Sequence, residues 1–382
     1  MSDQIGKVAI IHAFSRRNAG DGLLVDLTLE LLSDAGVSAR ECMILALDPD
    51  SFAGNENVER APGEPAARLS RKLAGAAIEL GLSHLGLGKV ERLLQDARAI
   101  VAVGGGYLVG DSPVRQAGIM LNHYAQLHAA ARAKCPTVYL PQSIGPLDAP
   151  TAALVRSALQ KLDRIWARDD ETARELAWPN VRRCTDLAVM KLGKSFETLR
   201  PAISTGAPVI VGRDLPRPGR LVPGLKELGA KLGDAVWAVQ AETEGSRSDR
   251  EFYRRIGVPA SGRLAEVLAQ PTGPVVSIRL HGAIAALLAG RPTIHLAYER
   301  KGWGAFEDLG LGDYVHDARN FDPALVAAQV AALQHDTAGY WDAVRRASKG
   351  LAESWDLVVA DLRQHLNAGR SGDNPFGVEL QP

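Results

Sequence analysis

Residues 275–301 read VVSIRLHGAIAALLAGRPTIHLAYERK, and this stretch decides the fold. The apolar run 275–278 is typical of a strand covered on both faces, and the small and aliphatic residues after His281 favour a closely packed helix. A glycine, an arginine and a proline then end the helix before a second apolar strand over 293–297. This order predicts a parallel sheet with helices packed on its faces.

The predicted start of this helix carries side chains that bind anions. Arg279 lies just before the helix, and His281 lies in its first turn. The first N–H groups of a helix and the positive end of its dipole favour a carboxylate or a phosphate, and a guanidinium adds a forked, charged donor. Tyr298 and Lys301 follow the second strand and are expected at the same edge of the sheet. The stretch therefore predicts an anion site.

Length and charge limit the classes of protein to consider. The chain has 382 residues, of which 46% are hydrophobic, and this length predicts two domains rather than one core. Lys and Arg together number 44, as do Asp and Glu, so the net charge is zero. Nothing global indicates a nucleic acid or a strongly anionic membrane as partner. Any anion site has to be local.

The cysteines and the apolar segments indicate a cytoplasmic setting. Cys42, Cys135 and Cys184 form neither a CxxC pair nor a Cys/His ligand spacing, so we expect reduced thiols and neither a disulfide nor a zinc framework. The apolar stretch near the start is too short for a signal peptide, and no segment offers the roughly 20 apolar residues of a spanning helix. Peripheral contact with the inner membrane surface stays open.

Strand-like and helix-like segments alternate on both sides of residues 191–208, where Gly, Ser, Thr and Pro accumulate. We therefore predict an α/β protein with two Rossmann-like domains facing a cleft, a GT-B-like arrangement with ligands at the carboxyl ends of both sheets. The domains are predicted over residues 1–195 and 205–336. A helix over 337–367 is expected to cross back to the first domain, and residues 368–382 to form a flexible tail.

Within the first domain, the pattern predicts several elements that bear on the site. Residues 48–65 are interpreted as a loop, and residues 66–80 as a helix. A glycine turn is predicted at 104–106, a single helix over 114–133, and a short strand over 137–140.

Short sequence blocks along the chain resemble a known family. In chain order they are NAGDGLL at residues 18–24, VAVGGGYL at 101–108, LPQSIGPL at 140–147, ARDDETARELAW at 167–178, DLAV at 186–189, and VVSIRLHGAIAALLAGRP followed by YERKG near the end. Each block alone is weak, but their order and spacing resemble the polysaccharide pyruvyl transferases. The resemblance covers most of the chain.

The resemblance implies transfer of the enolpyruvyl unit of phosphoenolpyruvate to two hydroxyls of a sugar as a cyclic ketal. The acceptor would belong to a polysaccharide or a lipid-linked precursor, with no cofactor beyond the donor, and the second domain would bind the donor. The donor carries a carboxylate and a phosphate, and burying that charge without cationic partners would cost several kcal/mol. Ketal formation also needs a proton at the methylene carbon, so an acid and a base should lie near the anion site.

His281 is the first candidate for catalysis, as the acid or as a phosphate partner, because histidine exchanges a proton near neutral pH. The alternative is a helix-start histidine satisfied by backbone. Arg279 is assigned to the phosphate or the carboxylate, with an interdomain salt bridge as its alternative. Arg168 resembles the family's arginine before an aspartate and is the second anion-binding candidate. Lys301 is expected to reach the phosphate, against the alternative of a solvated surface charge.

Asp21 is expected to orient or deprotonate the sugar hydroxyl, and a role as helix N-cap competes with this. The acids Asp169, Asp170 and Glu171 are interpreted as helix-capping residues rather than metal ligands, and no metal is expected. Further substrate contacts are expected from the loop residues Asn18 and Gly20, from the turn Gly104, Gly105 and Gly106, and from Gln142 and Ser143.

Two features depart from the resemblance. Ile278 precedes Arg279 where a polar or acidic residue is expected, so a contact that orients this arginine is predicted to be missing. Arg213, Arg217 and Arg220 form a cluster that is interpreted as a solvated loop, with contact to an anionic lipid carrier as the alternative.

The sequence thus predicts a metal-independent pyruvyl transferase acting on a sugar of a bacterial polysaccharide precursor. A glycosyltransferase that uses a nucleotide sugar in the same fold is the alternative enzyme. A sugar-binding subunit without catalysis is the non-enzymatic alternative. Phosphate release from phosphoenolpyruvate in the presence of a sugar separates the first hypothesis from the others.

Overall fold

The computed structural model describes residues 6–62, 88–147, 151–201, 206–242 and 248–371. The predicted helix over residues 66–80 lies outside these ranges, as do residues 372–382 of the predicted tail. The first residues of that tail, 368–371, belong to the last helix instead, so the prediction is wrong for them. Within them, no helix is both long and apolar enough to span a membrane.

The first unit is built on a parallel sheet. Its strands are β1 (Val8–Ala13), β2 (Cys42–Ala46), β3 (Val58–Arg60), β4 (Ala99–Ala102), β5 (Gly105–Gly110), β6 (Thr137–Leu147), β7 (Arg164–Ala167) and β8 (Val181–Arg183). In the described residues the order is β3-β2-β1-β4-β6-β7-β8, with β5 also paired to β6, and every pairing is parallel. Helices separate these strands along the chain: Ala19–Asp34, Lys89–Leu94, Pro113–Asn122, Tyr124–Ala130, Thr151–Leu159 and Asp170–Glu175.

The second unit repeats this architecture. Its strands are β9 (Val209–Val211), β10 (Val236–Val239), β11 (Gly262–Arg263), β12 (Val275–Ser277), β13 (Thr293–Ala297) and β14 (Val315–Asp317). They pair in parallel in the order β11-β10-β9-β12-β13-β14 within the described residues. The helices of this half are Leu187–Ser195, Leu221–Leu232, Asp249–Ile256, Leu264–Leu268, Leu280–Leu288, Arg300–Asp308, Pro323–His335 and Ala338–Ser371.

Both sheets confirm the predicted α/β class, because alternating strands and helices gave parallel sheets with the crossovers of Rossmann-like domains. The central strands are apolar throughout, as expected for strands covered on both faces: every residue of β1 is buried, as is every residue of β12. The side chains of His12 and Ser277 are polar exceptions within these strands.

Contacts divide the chain into two compact units. The first comprises Met1–Arg16, Leu24–Leu187 and Asp356–Pro382, and the second comprises Arg17–Leu23 and Ala188–Trp355. The first turn of one helix, which the sequence assigned to the first domain, therefore belongs to the second unit. The last helix starts in the second unit and ends in the first.

Two predictions for the first unit are wrong because glycine and proline hid strand structure. Residues 104–106 do not form a simple turn, since β5 begins at Gly105 and pairs with β6. The strand predicted over 137–140 continues to Leu147, although Pro141 and Pro146 lie within it. Pairing with β5 on one side and β7 on the other sustains this strand, with shifts in register that accommodate the missing N–H groups.

Other predicted elements also differ from the structure. The loop predicted over 48–65 contains β3, an edge strand too short to show an alternating pattern. The helix predicted over 114–133 is broken at His123, whose backbone is not helical. The tertiary environment explains this break, since the His123 ring stacks on Tyr107 and contacts His12. Leu187–Ser195 and Arg300–Asp308 are helices that the sequence did not predict.

The end of the last helix is held to the first unit by a buried ion pair. Arg164 of β7 donates from Nε to both carboxylate oxygens of Asp361, each at 3.1 Å. The two side chains are only 11% and 4% exposed, so neither charge is well solvated. His365, one turn later, lies 3.8 Å from the same carboxylate. Removing one charge would therefore leave the other buried and uncompensated.

We expect Asp361→Ala to lower the free energy of unfolding by about 3–5 kcal/mol, the usual cost of breaking a buried pair. The exposed Asp356, on the same helix, provides the control. Asp356→Ala should change the free energy of unfolding by less than about 0.5 kcal/mol. Denaturant unfolding of both variants measures the difference. Equal stabilities would show that the helix end is not held by this pair.

Candidate functional site

The start of the helix Leu280–Leu288 lies at the carboxyl end of β12, as predicted. Arg279 is the residue that precedes the helix, and His281 is its second residue. The hydroxyl of Ser277 donates to the backbone carbonyl of Arg279 at 2.8 Å. The N–H groups of a helix's first turn have no partner within the helix, so this end can receive an acceptor oxygen.

Arg279 is fixed by a buried carboxylate. Its Nε lies 3.1 and 3.0 Å from the two oxygens of Asp249, and its Nη2 donates to one of them at 2.5 Å. Asp249 is 1% exposed and also accepts the backbone N–H groups of Gln240 and Ala241 at 3.0 and 2.9 Å. Asp249 therefore orients Arg279 from another helix, although Ile278 has no polar side chain with which to do so. The salt bridge lies within one unit.

The segment around Asn18 packs against the same site. Asn18 pairs with Ala241 in an antiparallel bridge, and the N–H of Ala19 donates to the carbonyl of Gln240 at 3.3 Å. Gly20 lies directly against His281, since a Cβ atom at Gly20 would stand 2.8 Å from the imidazole Nδ1. Only a glycine fits this contact without displacing the ring.

Asp21 lies in the first turn of the helix Ala19–Asp34, not before it. The predicted alternative role of N-cap is therefore wrong: the Asn18 side chain accepts the N–H of Gly20 at 3.2 Å and donates to the Asp21 carboxylate at 2.9 Å. Burial raises the pKa of the Asp21 carboxyl above its ordinary value, and His281, Asn18, Lys301 and Arg279 oppose the shift. A carboxyl with a raised pKa is a better proton acceptor once it is ionised.

Lys301 is in the first turn of the helix Arg300–Asp308 and is not a solvated surface charge. Its Nζ lies 2.8 Å from the carboxylate of Glu299, and its side chain is 26% exposed. Lys301 also opposes the rise in the pKa of the Asp21 carboxyl that burial causes, which places its charge near that carboxyl. The second unit thus brings a carboxyl, an imidazole, an ammonium and a guanidinium together at one edge of its sheet.

The predicted site residues divide between the two units. The second unit holds Asn18, Gly20, Asp21, Arg279, His281 and Lys301, whereas the first holds Gly104, Gly105, Gly106, Gln142, Ser143 and Arg168.

In the first unit, Arg168 and Ser143 belong to one buried polar network. Arg168 donates from Nε to the Ser143 hydroxyl at 3.0 Å and from Nη1 to Asp186 at 2.7 Å. Asp169 accepts from Ser143 at 2.5 Å and from the N–H of Thr172 at 2.8 Å, which confirms its predicted capping role. Nη2 of Arg168 is buried, and in the described part of the chain it has no hydrogen-bond partner. Such donors are rare, and a ligand oxygen would satisfy it.

Gln142 has a similar unsatisfied atom. Its amide nitrogen donates to the Tyr107 hydroxyl at 2.6 Å and to the carbonyl of Val103 at 3.4 Å. Its Oε1 is buried and accepts no hydrogen bond from any described residue. The glycine segment packs closely beside it, since a Cβ at Gly104 would stand 2.8 Å from the carbonyl oxygen of Pro141. An acceptor oxygen of this kind suits a sugar hydroxyl.

Sequence reasoning missed a buried cluster next to Gln142. His12 contacts the Tyr139 hydroxyl at 2.8 Å and the Nδ1 of His123 at 3.3 Å, and its ring centroid lies 4.6 Å from that of Tyr107. Burial lowers the pKa of His123 to about 4, and burial together with the nearby His123 lowers that of His12. The available signal was a histidine inside the apolar strand β1. Among the described residues, no group of three or more His, Cys, Asp or Glu side chains is arranged to hold a metal ion.

Comparison with solved structures shows a shared fold at low sequence identity. Anabaena Alr3699/HepE in complex with UDP-glucose is 12% identical, with a TM-score of 0.56 over 96% of this chain and 99% of that one. Arabidopsis thaliana UGT89C1 complexed with quercetin is 12% identical, with a TM-score of 0.54 over 95% and 100%. UDP-GlcNAc 2-epimerase from Methanocaldococcus jannaschii is 12% identical, with a TM-score of 0.53 over 94% and 99%. These likenesses identify the fold as GT-B, with two Rossmann-like domains.

Among curated protein sequences, none matches the chain. The family model for polysaccharide pyruvyl transferase matches residues 18–235, which is more than half of the chain and includes Asp21 and Arg168. Arg279, His281 and Lys301 follow the matched residues. The chain therefore belongs to the polysaccharide pyruvyl transferase family.

Proposed function

We propose that the protein transfers the enolpyruvyl unit of phosphoenolpyruvate to two hydroxyls of a sugar and forms a cyclic ketal. The acceptor is a sugar of a polysaccharide or of its lipid-linked precursor, which brings the protein to the cytoplasmic face of the inner membrane. Family membership supports the reaction class. The donor, the acceptor and the roles of individual residues are the proposal.

The observation that carries this proposal is the proximity of Asp21 and His281. The imidazole is close enough to oppose the rise in the pKa of the carboxyl, and Gly20 packs against its ring. Lys301 and Arg279 add cationic groups, and the helix start adds N–H donors. Two groups able to move protons thus lie beside groups able to bind a carboxylate or a phosphate.

In the proposed reaction, the oxygen of the first sugar hydroxyl bonds to the donor carbon that carries phosphate. His281 delivers a proton to the methylene carbon, which becomes the methyl group, and Asp21 accepts the hydroxyl proton. The second hydroxyl then bonds to the same carbon, the phosphate leaves, and the second hydroxyl proton leaves with it. Lys301 and the helix start stabilise the phosphate as its charge develops.

In the first unit, Arg168 and Gln142 are proposed to bind substrate oxygens. Each has a buried polar atom without a partner in the described part of the chain: Nη2 of Arg168 is a donor, and Oε1 of Gln142 is an acceptor. A ligand that satisfied both atoms would remove the cost of leaving them unpaired, which is about 1–3 kcal/mol for each.

A nucleotide-sugar glycosyltransferase is the second candidate, since a structure of similar fold was solved with UDP-glucose. The two functions are separated by incubation with phosphoenolpyruvate and a panel of lipid-linked and aryl glycosides. Acceptor-dependent phosphate release, with the product heavier by one pyruvyl group, supports the first candidate. Sugar transfer from UDP-glucose without consumption of phosphoenolpyruvate supports the second.

For His281→Ala we expect turnover to fall by about 10²–10⁴-fold, because general acid catalysis is lost. His281→Gln should be impaired to the same extent, since the amide can bind phosphate but cannot deliver a proton. The exposed His335 supplies the control, and His335→Ala should retain full activity. Phosphate release under saturating donor measures all three. Full turnover in His281→Gln would assign the imidazole to phosphate binding instead.

For Asp21→Asn we expect greater thermal stability at neutral pH together with loss of turnover. Because the pKa is raised in the folded protein, the unfolded chain ionises first, and stability is lost as the pH rises through the raised pKa. Asparagine does not ionise, so the variant avoids this loss of stability. Its advantage over the wild type should therefore vanish below the ordinary pKa of aspartate. Melting temperatures across this pH range test the sign. The exposed Asp234→Asn should show no gain, and a less stable Asp21→Asn would contradict the burial argument.

A further inference from the structure

A group of four arginines, two exposed and two half-buried, lies at the edge of the second sheet and takes no part in the proposed chemistry. Arg213, Arg217 and Arg220 lie in the loop between β9 and the helix Leu221–Leu232, and Arg319 follows β14. We call these four residues the arginine patch. All four follow the carboxyl ends of parallel strands, where ligands bind in sheets of this type.

Tyr298, after β13, holds the arginine patch together. The Arg213 guanidinium lies over the Tyr298 ring at 4.9 Å and donates to its hydroxyl. Arg319 donates from Nη1 to the carbonyl of Tyr298 at 2.8 Å and from Nε to the carbonyl of Arg217 at 3.2 Å. The N–H of Arg220 donates to the carbonyl of Arg319 at 2.8 Å. The loop and Arg319 therefore form one contiguous structure.

Two acids that neighbour this patch in sequence are paired with cations outside it. Asp214 is paired with Arg255 at 2.8 Å, and Glu299 is paired with Lys301 at 2.8 Å. Asp317 accepts the backbone N–H of Arg319 at 2.9 Å. Over the ranges that the structure describes, the exposed side chains of Arg217 and Arg220 form no ion pair. A local positive charge is thus maintained on a chain whose net charge is zero.

The backbone of the loop is held in an unfavourable conformation. Arg217 has a φ of +56°, in the left-handed region that costs free energy for a residue with a side chain. Gly219, with a φ of +58°, allows the close approach to Arg319, since a Cβ there would stand 2.8 Å from the carbonyl oxygen of Arg319. A glycine at position 217 would relieve the strain. An arginine at this position therefore costs conformational free energy that a glycine would avoid, and binding of an anion by its side chain would explain its presence.

We propose that the arginine patch binds the diphosphate group that carries the acceptor sugar. Several forked guanidinium groups suit a diphosphate, which has many acceptor oxygens and more than one negative charge. Tyr298 and Lys301 both follow the carboxyl end of β13, so the patch and the proposed donor site lie at the same edge of the second unit's sheet. A sugar attached to the diphosphate can therefore lie beside the donor. The identity of the sugar rests on the proposed function, but binding of the diphosphate does not.

Two carriers share this chemistry: a nucleoside diphosphate and a polyprenyl diphosphate. Calorimetric titrations measure the affinity of each probe. Inorganic pyrophosphate represents the shared diphosphate group, UDP-glucose the nucleoside carrier and farnesyl diphosphate the polyprenyl carrier. Pyrophosphate should bind the wild type, and its affinity should fall with added salt. If one carrier binds more tightly than pyrophosphate, we infer that the acceptor sugar is attached to a carrier of that kind. Absence of binding by all three probes would overturn the proposal.

Arg217→Gln and Arg220→Gln should each weaken pyrophosphate binding by about tenfold, the loss typical of one charge-assisted hydrogen bond. Arg346→Gln removes the same charge from an exposed position on the last helix and should bind as the wild type does. If Arg346→Gln weakened pyrophosphate binding equally, the loss would come from the change in net charge alone, and the proposed site would be wrong.

Arg217→Gly distinguishes an effect on pyrophosphate binding from an effect on the stability of the fold. This variant relieves the left-handed strain, so it should melt no lower than the wild type and yet bind pyrophosphate about tenfold more weakly. Unchanged binding would remove Arg217 from the site. A lower melting temperature would contradict the strain on which the argument depends.

Kinetics distinguish this proposal from the proposed function. In Arg217→Gln, the KM for a diphosphate-linked acceptor should rise about tenfold, while the KM for phosphoenolpyruvate and the rate with an aryl glycoside stay unchanged. If no acceptor is pyruvylated but pyrophosphate binding follows the arginines, the proposed function fails and the diphosphate site stands. If transfer occurs and the KM values of the variant match those of the wild type, the site fails.

Discussion

The buried carboxylate of Asp249 is the constraint on which the second unit's site depends. It binds the Arg279 guanidinium through both oxygens and accepts the N–H groups that follow β10. The residues after β10 pair in turn with Asn18 and Ala19, and this places Gly20 against His281. One carboxylate thus links three segments that are far apart in sequence. Because it is almost fully buried, its charge is compensated within the protein, and the geometry that it sets is rigid.

The ion pair with Asp249 limits the charge that Arg279 can offer to a ligand. A guanidinium that is bound through two nitrogens to a carboxylate contributes less net charge to a ligand than the sequence suggests. The other groups that can bind an anion are then Lys301, which is itself paired with Glu299, the His281 side chain and the N–H donors of the helix start, with Arg279 as a positioned donor. Buried pairs of this kind contribute more to geometry than to stability. The first unit shows the same principle, since Arg168 is oriented by Ser143 and Asp186 and retains one unsatisfied buried nitrogen.

Much of the fold and part of the site could be predicted from sequence because the signals are local. The strand and helix around Arg279 and His281 follow from apolar periodicity, and the capping role of Asp169 follows from its position. Contacts between distant residues could not be predicted: Asp249 lies 30 positions from Arg279, and nothing in either neighbourhood indicates the pairing. The break at His123 likewise depends on His12, which is 111 residues away. Prolines within β6 concealed a strand that only its neighbours sustain.

Calorimetric titration of phosphoenolpyruvate into the wild type and into Asp249→Asn tests whether this carboxylate organises the site. The substitution keeps the size of the side chain and makes the site more positive, so charge alone would strengthen binding of a trianionic donor. We predict the opposite, a loss of about tenfold or more in affinity, because Arg279 and the segment packed against His281 lose the carboxylate that positions both. Melting curves on the same samples confirm that the variant is folded. Binding equal to or tighter than that of the wild type would show that Asp249 does not organise the site.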